Sequence, residues 1–199
     1  MRTRGAILAA GVVAAVVVAL TGCSPTYVPP ATLETNQPAN VTAELAYIDT
    51  YWKNRNVVKY GSLGGTDCVN FTSQALIARG WAMTRDWGHT LTRGRNAYSK
   101  AWISSTAFMK YLAAHPELAT AVDDGHRGQL AVGDVVQFDY NASGDRDHTG
   151  VITRIVGTGD TATIEFAAHS STGYEYLSVD RNLSMHSSRA VAYYWHLLS

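Results

Sequence analysis

"GDVVQFDYNASGDRDHTGVITRIVG", residues 133–157, reads as two strands around one polar turn. Its two β-branched and aromatic runs, 133–140 and 150–157, are bounded by Gly, Asn, Asp and Ser, the residues that stop strands and turn chains. The connection is too short for a crossover helix, so the two strands must run antiparallel. Two further runs of the same kind, "ATIEFAAH" at 162–169 and "AVAYYWHLL" at 190–198, extend the pair into an antiparallel sheet. Within the turn, Asp139, Asn141, Ser143, Asp145 and Asp147 fall at alternate positions around Gly144, as calcium-loop ligands do. The twelfth position, however, is Gly150 where a bidentate Glu belongs, so a polar hairpin loop closed by an Asx turn is expected.

Upstream of this stretch the period changes from two to 3.6. Asn40 opens a helical pattern in which Val41, Leu45, Ile48 and Trp52 share a face. Asp67 is placed to cap a second helix, with Phe71, Ala75, Leu76 and Ala78 inward and Gly80 at its end. A third helix fits Ser105 to Ala114, with Phe108, Met109 and Leu112 inward and a turn starting at Pro116. Between them, residues 81–103 hold Trp81, Trp87 and Trp102 with no clean period and read as a long surface excursion. Helices first and strands afterwards predict an α+β domain over residues 40–199, its helices packed on one face of an antiparallel sheet. No internal repeat is visible.

The N-terminus sets the expected compartment. Arg2 and Arg4 precede an apolar run from Gly5 to Leu20 that ends in Leu20-Thr21-Gly22-Cys23, the small-residue boundary of a signal peptide. That boundary resembles a bacterial lipobox, which implies removal of residues 1–22, lipidation of Cys23 and anchorage on the extracytoplasmic face of the cell membrane. Residues 24–39 carry four of the five prolines and read as an extended tether within the segment 23–39. Removing residues 1–22 lowers Lys+Arg from 16 to 14 against 16 Asp+Glu. A near-neutral domain gives no electrostatic reason to expect nucleic acid as a partner. With 10% aromatic residues and five Trp the composition is that of a folded protein, expected to act as a monomer.

The chain has two cysteines. With Cys23 assigned to lipid, Cys68 has no disulfide partner, and a free thiol in an oxidising compartment is either buried and inert or a working nucleophile. Its setting, "GGTDCVNFTSQAL", places it in the first turn of the second helix, where unpaired N–H groups and the helix dipole favour the thiolate. Gly64 and Gly65 would let a substrate carbonyl approach backbone donors. Among the seven histidines, His148 begins one strand and His169 ends the next, so antiparallel pairing brings both to one edge of the sheet.

At these residues the chain resembles the bacterial putative amidase domain family, through "GGTDCVNFTSQAL", "GDVVQFDYNASGDRDHTGVIT" and "FAAHSS" in that order. More distantly it is similar to the NlpC-type cell-wall peptidases, which are papain-like. The resemblance implies Cys68 as nucleophile, His148 as general base and His169 as the residue that orients the imidazole. It assigns Asp67 and Asn70 structural or substrate-positioning duties and treats Trp102 and Phe108 as packing. Val69 and Ser170 stand where the family usually has threonine. The expected activity is cysteine-dependent amide hydrolysis without cofactor or metal, with cell-wall peptides as substrate because an anchored extracytoplasmic enzyme meets them first. Acyl transfer by the same thiol, or a non-catalytic cell-wall-binding lipoprotein, are the alternatives.

Overall fold

The computed structural model of the protein describes residues 40–170 and 173–198. The expected signal peptide, Cys23 and the tether lie outside them. The helices are α1 (Val41–Tyr51), α2 (Val57–Tyr60), α3 (Cys68–Arg79), α4 (Lys100–Ile103), α5 (Ser105–Ala114) and α6 (Val179–Ser184). The strands are β1 (His89–Thr92), β2 (Arg95–Tyr98), β3 (Ala119–Val122), β4 (Val135–Asp139), β5 (His148–Val156), β6 (Thr163–His169), β7 (Gly173–Ser178) and β8 (Val191–Leu197). The fold is α+β, as expected, with the large helices N-terminal to the main sheet. None of the helices among the described residues is long and apolar enough to cross a membrane.

β1 and β2 form a hairpin, while the other six strands make one antiparallel sheet in the order β3-β8-β4-β5-β6-β7. Side chains alternate across this sheet, and the alternation sorts the core into two layers. Val135, Val151, Ala167 and Trp195 face α1, α3 and α5, in clusters that include Ile48, Phe71, Val69 and Phe108. Val136, Phe138, Ile152, Phe166 and Tyr194 face the other way and are covered by Val179 of α6 and by Leu130. The sheet is therefore covered on both faces, which is one layer more than the sequence pattern suggests.

α1 begins where Asn40 accepts the Ala43 N–H at 2.9 Å, and α3 ends at Gly80, whose φ of 114° suits only glycine at low cost. A buried pair, Glu44 with Arg79 at 2.9 Å, ties α1 to α3, and the same guanidinium reaches the Gly133 carbonyl at the entry to β4. These bonds fix the helix pair over the β4–β5 side of the sheet.

Residues 81–103 depart from the expected surface excursion. They fold into the β1–β2 hairpin and α4, and Trp87 and Trp102 are fully buried with Trp81 nearly so. The three indoles pack on one another, Trp87 sitting 5.5 Å from Trp81 and 4.9 Å from Trp102, and the Trp87 N–H donates to Ser73 of α3. Trp81 and Trp87 lie on the connection between α3 and β1 and Trp102 on α4, so the large side chains come singly, and a single residue has no period.

The 139–147 loop is the expected polar turn. Asp139 accepts the N–H groups of Asn141, Ser143 and Gly144, and Asp147 accepts that of Tyr140.

Candidate active site

Asp67 occupies the N-cap position of α3, yet its side chain does not cap the helix. It turns back instead: one oxygen accepts the Leu63 N–H and the Asn70 amide, the other meets the Arg55 guanidinium at 3.2 Å and Nδ1 of His169 at 2.8 Å. Burial alone would push this carboxyl up, but the bonds from His169, Asn70 and Leu63 outweigh it and hold it below the ordinary aspartate value. Asn70 is held in turn by the Trp102 indole at 2.8 Å. Arg55, which the sequence did not single out, also bonds the carbonyls of Gly64 and Ser170, so it joins the turn before α3 to the end of β6. Gly65 lies exposed on that turn, with open space where a Cβ would project.

With Asp67 turned away, the first turn of α3 keeps donors free. Cys68 is the first residue of the helix, and the backbone N–H groups of Val69 and Thr149 face its sulfur. The β5–β6 ladder ends at Val151 and Ala167, so Thr149 has no pairing in β6 and its amide is available to the thiol. That amide nitrogen is covalently attached to the carbonyl carbon of His148. Behind the sulfur runs a buried polar chain. Ser105 Oγ lies 3.7 Å from Sγ and accepts from the Thr149 hydroxyl; the Gln137 amide N–H donates to the Ser105 carbonyl and to Thr149 Oγ1, and its amide oxygen accepts from the Trp195 indole.

The resting thiol is not the anion expected from the helix dipole. Cys68 is 6% exposed, and burial pushes its pKa above the ordinary thiol value despite the Ser105, Thr149 and Val69 contacts. His148 is likewise kept neutral: burial, helped by His186, lowers its pKa to about 4. The site thus holds a neutral thiol and a neutral imidazole. Among the described residues, the hydrogen bonds of neither group include the other.

His148 and His169 do come to one end of the sheet, but on opposite faces. His148 pairs with Phe138 and lies with Tyr140 and Tyr174 on the α6 face. His169 pairs with Gly173 and points to the α3 face, where its ring stacks on Phe71 at 4.0 Å. Its Nδ1 is taken by Asp67 and its Nε2 by the Tyr51 carbonyl at 2.9 Å. The position expected for His169, next to the His148 imidazole, is filled by Tyr174, whose hydroxyl lies 2.6 Å from Nε2. Tyr174 pairs with Ala168 of β6, one residue from His169, and so emerges on the face where His148 lies. A strand after "FAAHSS" would have exposed this in the sequence, but "GYEYLS" is half-exposed edge strand with no clean alternation.

Residues 38–195 match the family model described as "Putative amidase domain". The chain belongs to that family. An amidase domain is consistent with hydrolase chemistry. The domain is also similar to "Uncharacterized protein YjcM" of Bacillus subtilis (strain 168), at 27% identity over 118 residues, which is 56% of this chain. The match spans 27% of that relative's length. No solved structure matches the chain.

Proposed function

We propose that this amidase-domain protein is a cysteine-dependent amide hydrolase of papain-like fold, lipid-anchored through Cys23 on the extracytoplasmic face of the membrane. Its proposed substrates are cell-wall peptides. One observation carries the reading: the Cys68 sulfur sits in the first turn of α3 against the Thr149 amide, the peptide unit that also bears His148. For His148 to act as base, its Nε2–H donates to the Tyr174 oxygen, leaving Nδ1 with the lone pair. As sulfur attacks the amide carbonyl, its proton passes to Nδ1; the imidazolium then protonates the leaving amine. Water attacks the resulting thioester, gives its proton to Nδ1, and the thiol is restored as the acid product leaves. First-turn amides of α3 and the Gly64-Gly65 turn are the proposed donors to the oxyanion.

In this scheme Asp67, Asn70, Arg55 and His169 hold the turn that presents the thiol, and Tyr174 holds the base. Because thiol and imidazole are both neutral at rest, proton transfer accompanies attack instead of preceding it, as in serine-type sites. The low exposure of the sulfur favours one rival, a cell-wall-binding lipoprotein that keeps the fold without turnover. Incubating the protein with cell-wall fragments and following newly released amines by mass spectrometry separates the two. Release by wild type and none by Cys68→Ala supports the hydrolase; identical profiles from both exclude it for those substrates. Loss of membrane fractionation in Cys23→Ala tests the anchor.

A further inference from the structure

Gln137 connects the thiol's polar surroundings to a cavity on the same face of the sheet. Its amide bonds Ser105 and Thr149 at one end and the Trp195 indole at the other, and its cross-strand neighbour is Tyr193. Trp195 and Tyr193 form one side of a cavity of about 370 Å³, with Met109 of α5, Ala121 and Val122 of β3, and Arg146 around it. A space of this size with a mainly apolar lining is suited to a small ligand. Arg146 is the one cation among these lining residues. Its Cζ lies over the Tyr193 ring, 3.5 Å from the centroid, and its Nη1 donates to the loop carbonyls of Gly144 and Asp145. Among the described residues it makes no ion pair, and its buried Nε has no hydrogen-bond partner. Asp123 also lines the cavity, but its carboxylate is engaged by the Gly125 N–H and by His126.

A buried guanidinium nitrogen without a partner is one prong of a fork that a carboxylate completes. We propose that this cavity is a carboxylate-binding subsite: the Nε–Nη2 edge of Arg146 takes a free carboxylate, and Met109, Tyr193 and Trp195 take the apolar body attached to it. The backbone of Arg146 is fixed independently of its side chain, because its N–H donates to Thr106 Oγ1 at 2.9 Å, next to the Ser105 that contacts the sulfur. Thr149, Gln137 and Tyr193 lie on three neighbouring strands, so the subsite stands about 10 Å from Thr149, whose amide faces the thiol, roughly three residues of extended peptide. As a substrate anchor it rests on the hydrolase reading above and selects amides whose carboxylate lies some three residues from the scissile bond.

The test uses N-acetyl-L-phenylalanine and its uncharged primary amide as probes, with the Arg146 Nε–H resonance followed by nitrogen-15 NMR. The acid is expected to shift that resonance and to bind about 10-fold or more tightly than the amide, in wild type and in Cys68→Ala alike. Arg146→Met, and Arg146→Lys, which keeps the charge but loses the fork, are expected to lose most of this preference at an unchanged melting temperature. Should the variants unfold, the wild-type comparison decides alone. Equal binding of the two probes, or an Nε–H resonance unmoved by millimolar acid, overturns the subsite. Binding is read without turnover, so a failed amine-release assay with intact acid preference rejects the hydrolase and leaves the subsite, and the converse rejects only the subsite.

Discussion

His148 sits among Phe138, Tyr140 and Tyr174, and that setting governs how the site should respond to pH. Since burial lowers its pKa to about 4, the base stays available through the mildly acidic range in which an ordinary histidine is already protonated. The acid limb of kcat/KM is therefore expected near pH 4 and not near 6.5, measured on any amide that the wild type cleaves and Cys68→Ala does not. The thiol should titrate above its ordinary range, with slow iodoacetamide labelling at neutral pH, and thiolate absorbance against pH checks this directly. Tyr174→Phe removes the bond to Nε2 while keeping the ring. It is expected to lower kcat by about 10- to 100-fold, with KM and melting temperature nearly unchanged. His169→Gln, by contrast, breaks into the Asp67 network and should lower the melting temperature along with activity. Both site histidines were legible in the sequence as residues at one sheet edge. That Tyr174 meets His148 was not, because that depends on the register β6 keeps with β7, and β7 announces itself weakly.

The longer elements were the readable ones. α1, α3 and α5 each bury a face wide enough to leave a 3.6-residue pattern, and β4, β5, β6 and β8 are interior strands with continuous apolar runs. β3 and β7 are the two sheet edges, short or half-exposed, and carry little signal. The hairpin and α4 escaped for a different reason: the core contribution of this stretch is the indole stack around Trp87, built from Trp81 and Trp87 on the connection after α3 and Trp102 on the four-residue α4. A tryptophan on a surface loop would tolerate truncation. Trp87→Ala instead empties the space between Trp81, Trp102 and α3 and orphans the Ser73 hydroxyl contact, so a loss of about 3–5 kcal/mol is expected in urea unfolding.

At the scale of the whole molecule, the buried imidazole links catalysis to stability. His148 has a folded pKa of about 4 against an ordinary 6.5, so between those values the unfolded chain binds more protons than the folded one. Stability should consequently rise as pH increases from about 4 to 6.5, by at most ~3 kcal/mol from this group, and level off above. Asp67 adds in the same sense at lower pH, because its depressed pKa means that its contribution is lost only as the carboxyl is finally protonated. Melting temperature against pH for wild type and His148→Gln measures the first effect, and the variant should lose the slope above pH 4.

The opposed faces of residues 148 and 149 carry a consequence for how this domain can vary over evolutionary time. The hydroxyl of Thr149 belongs to the layer beneath α3 and the imidazole of His148 to the layer beneath α6, so a single-codon insertion or deletion between them and Val151 would exchange the two. Length changes in the exposed 140–147 turn cost the chemistry little by comparison. Homologous genes should therefore show indels freely in that turn and almost never in the three codons that follow His148.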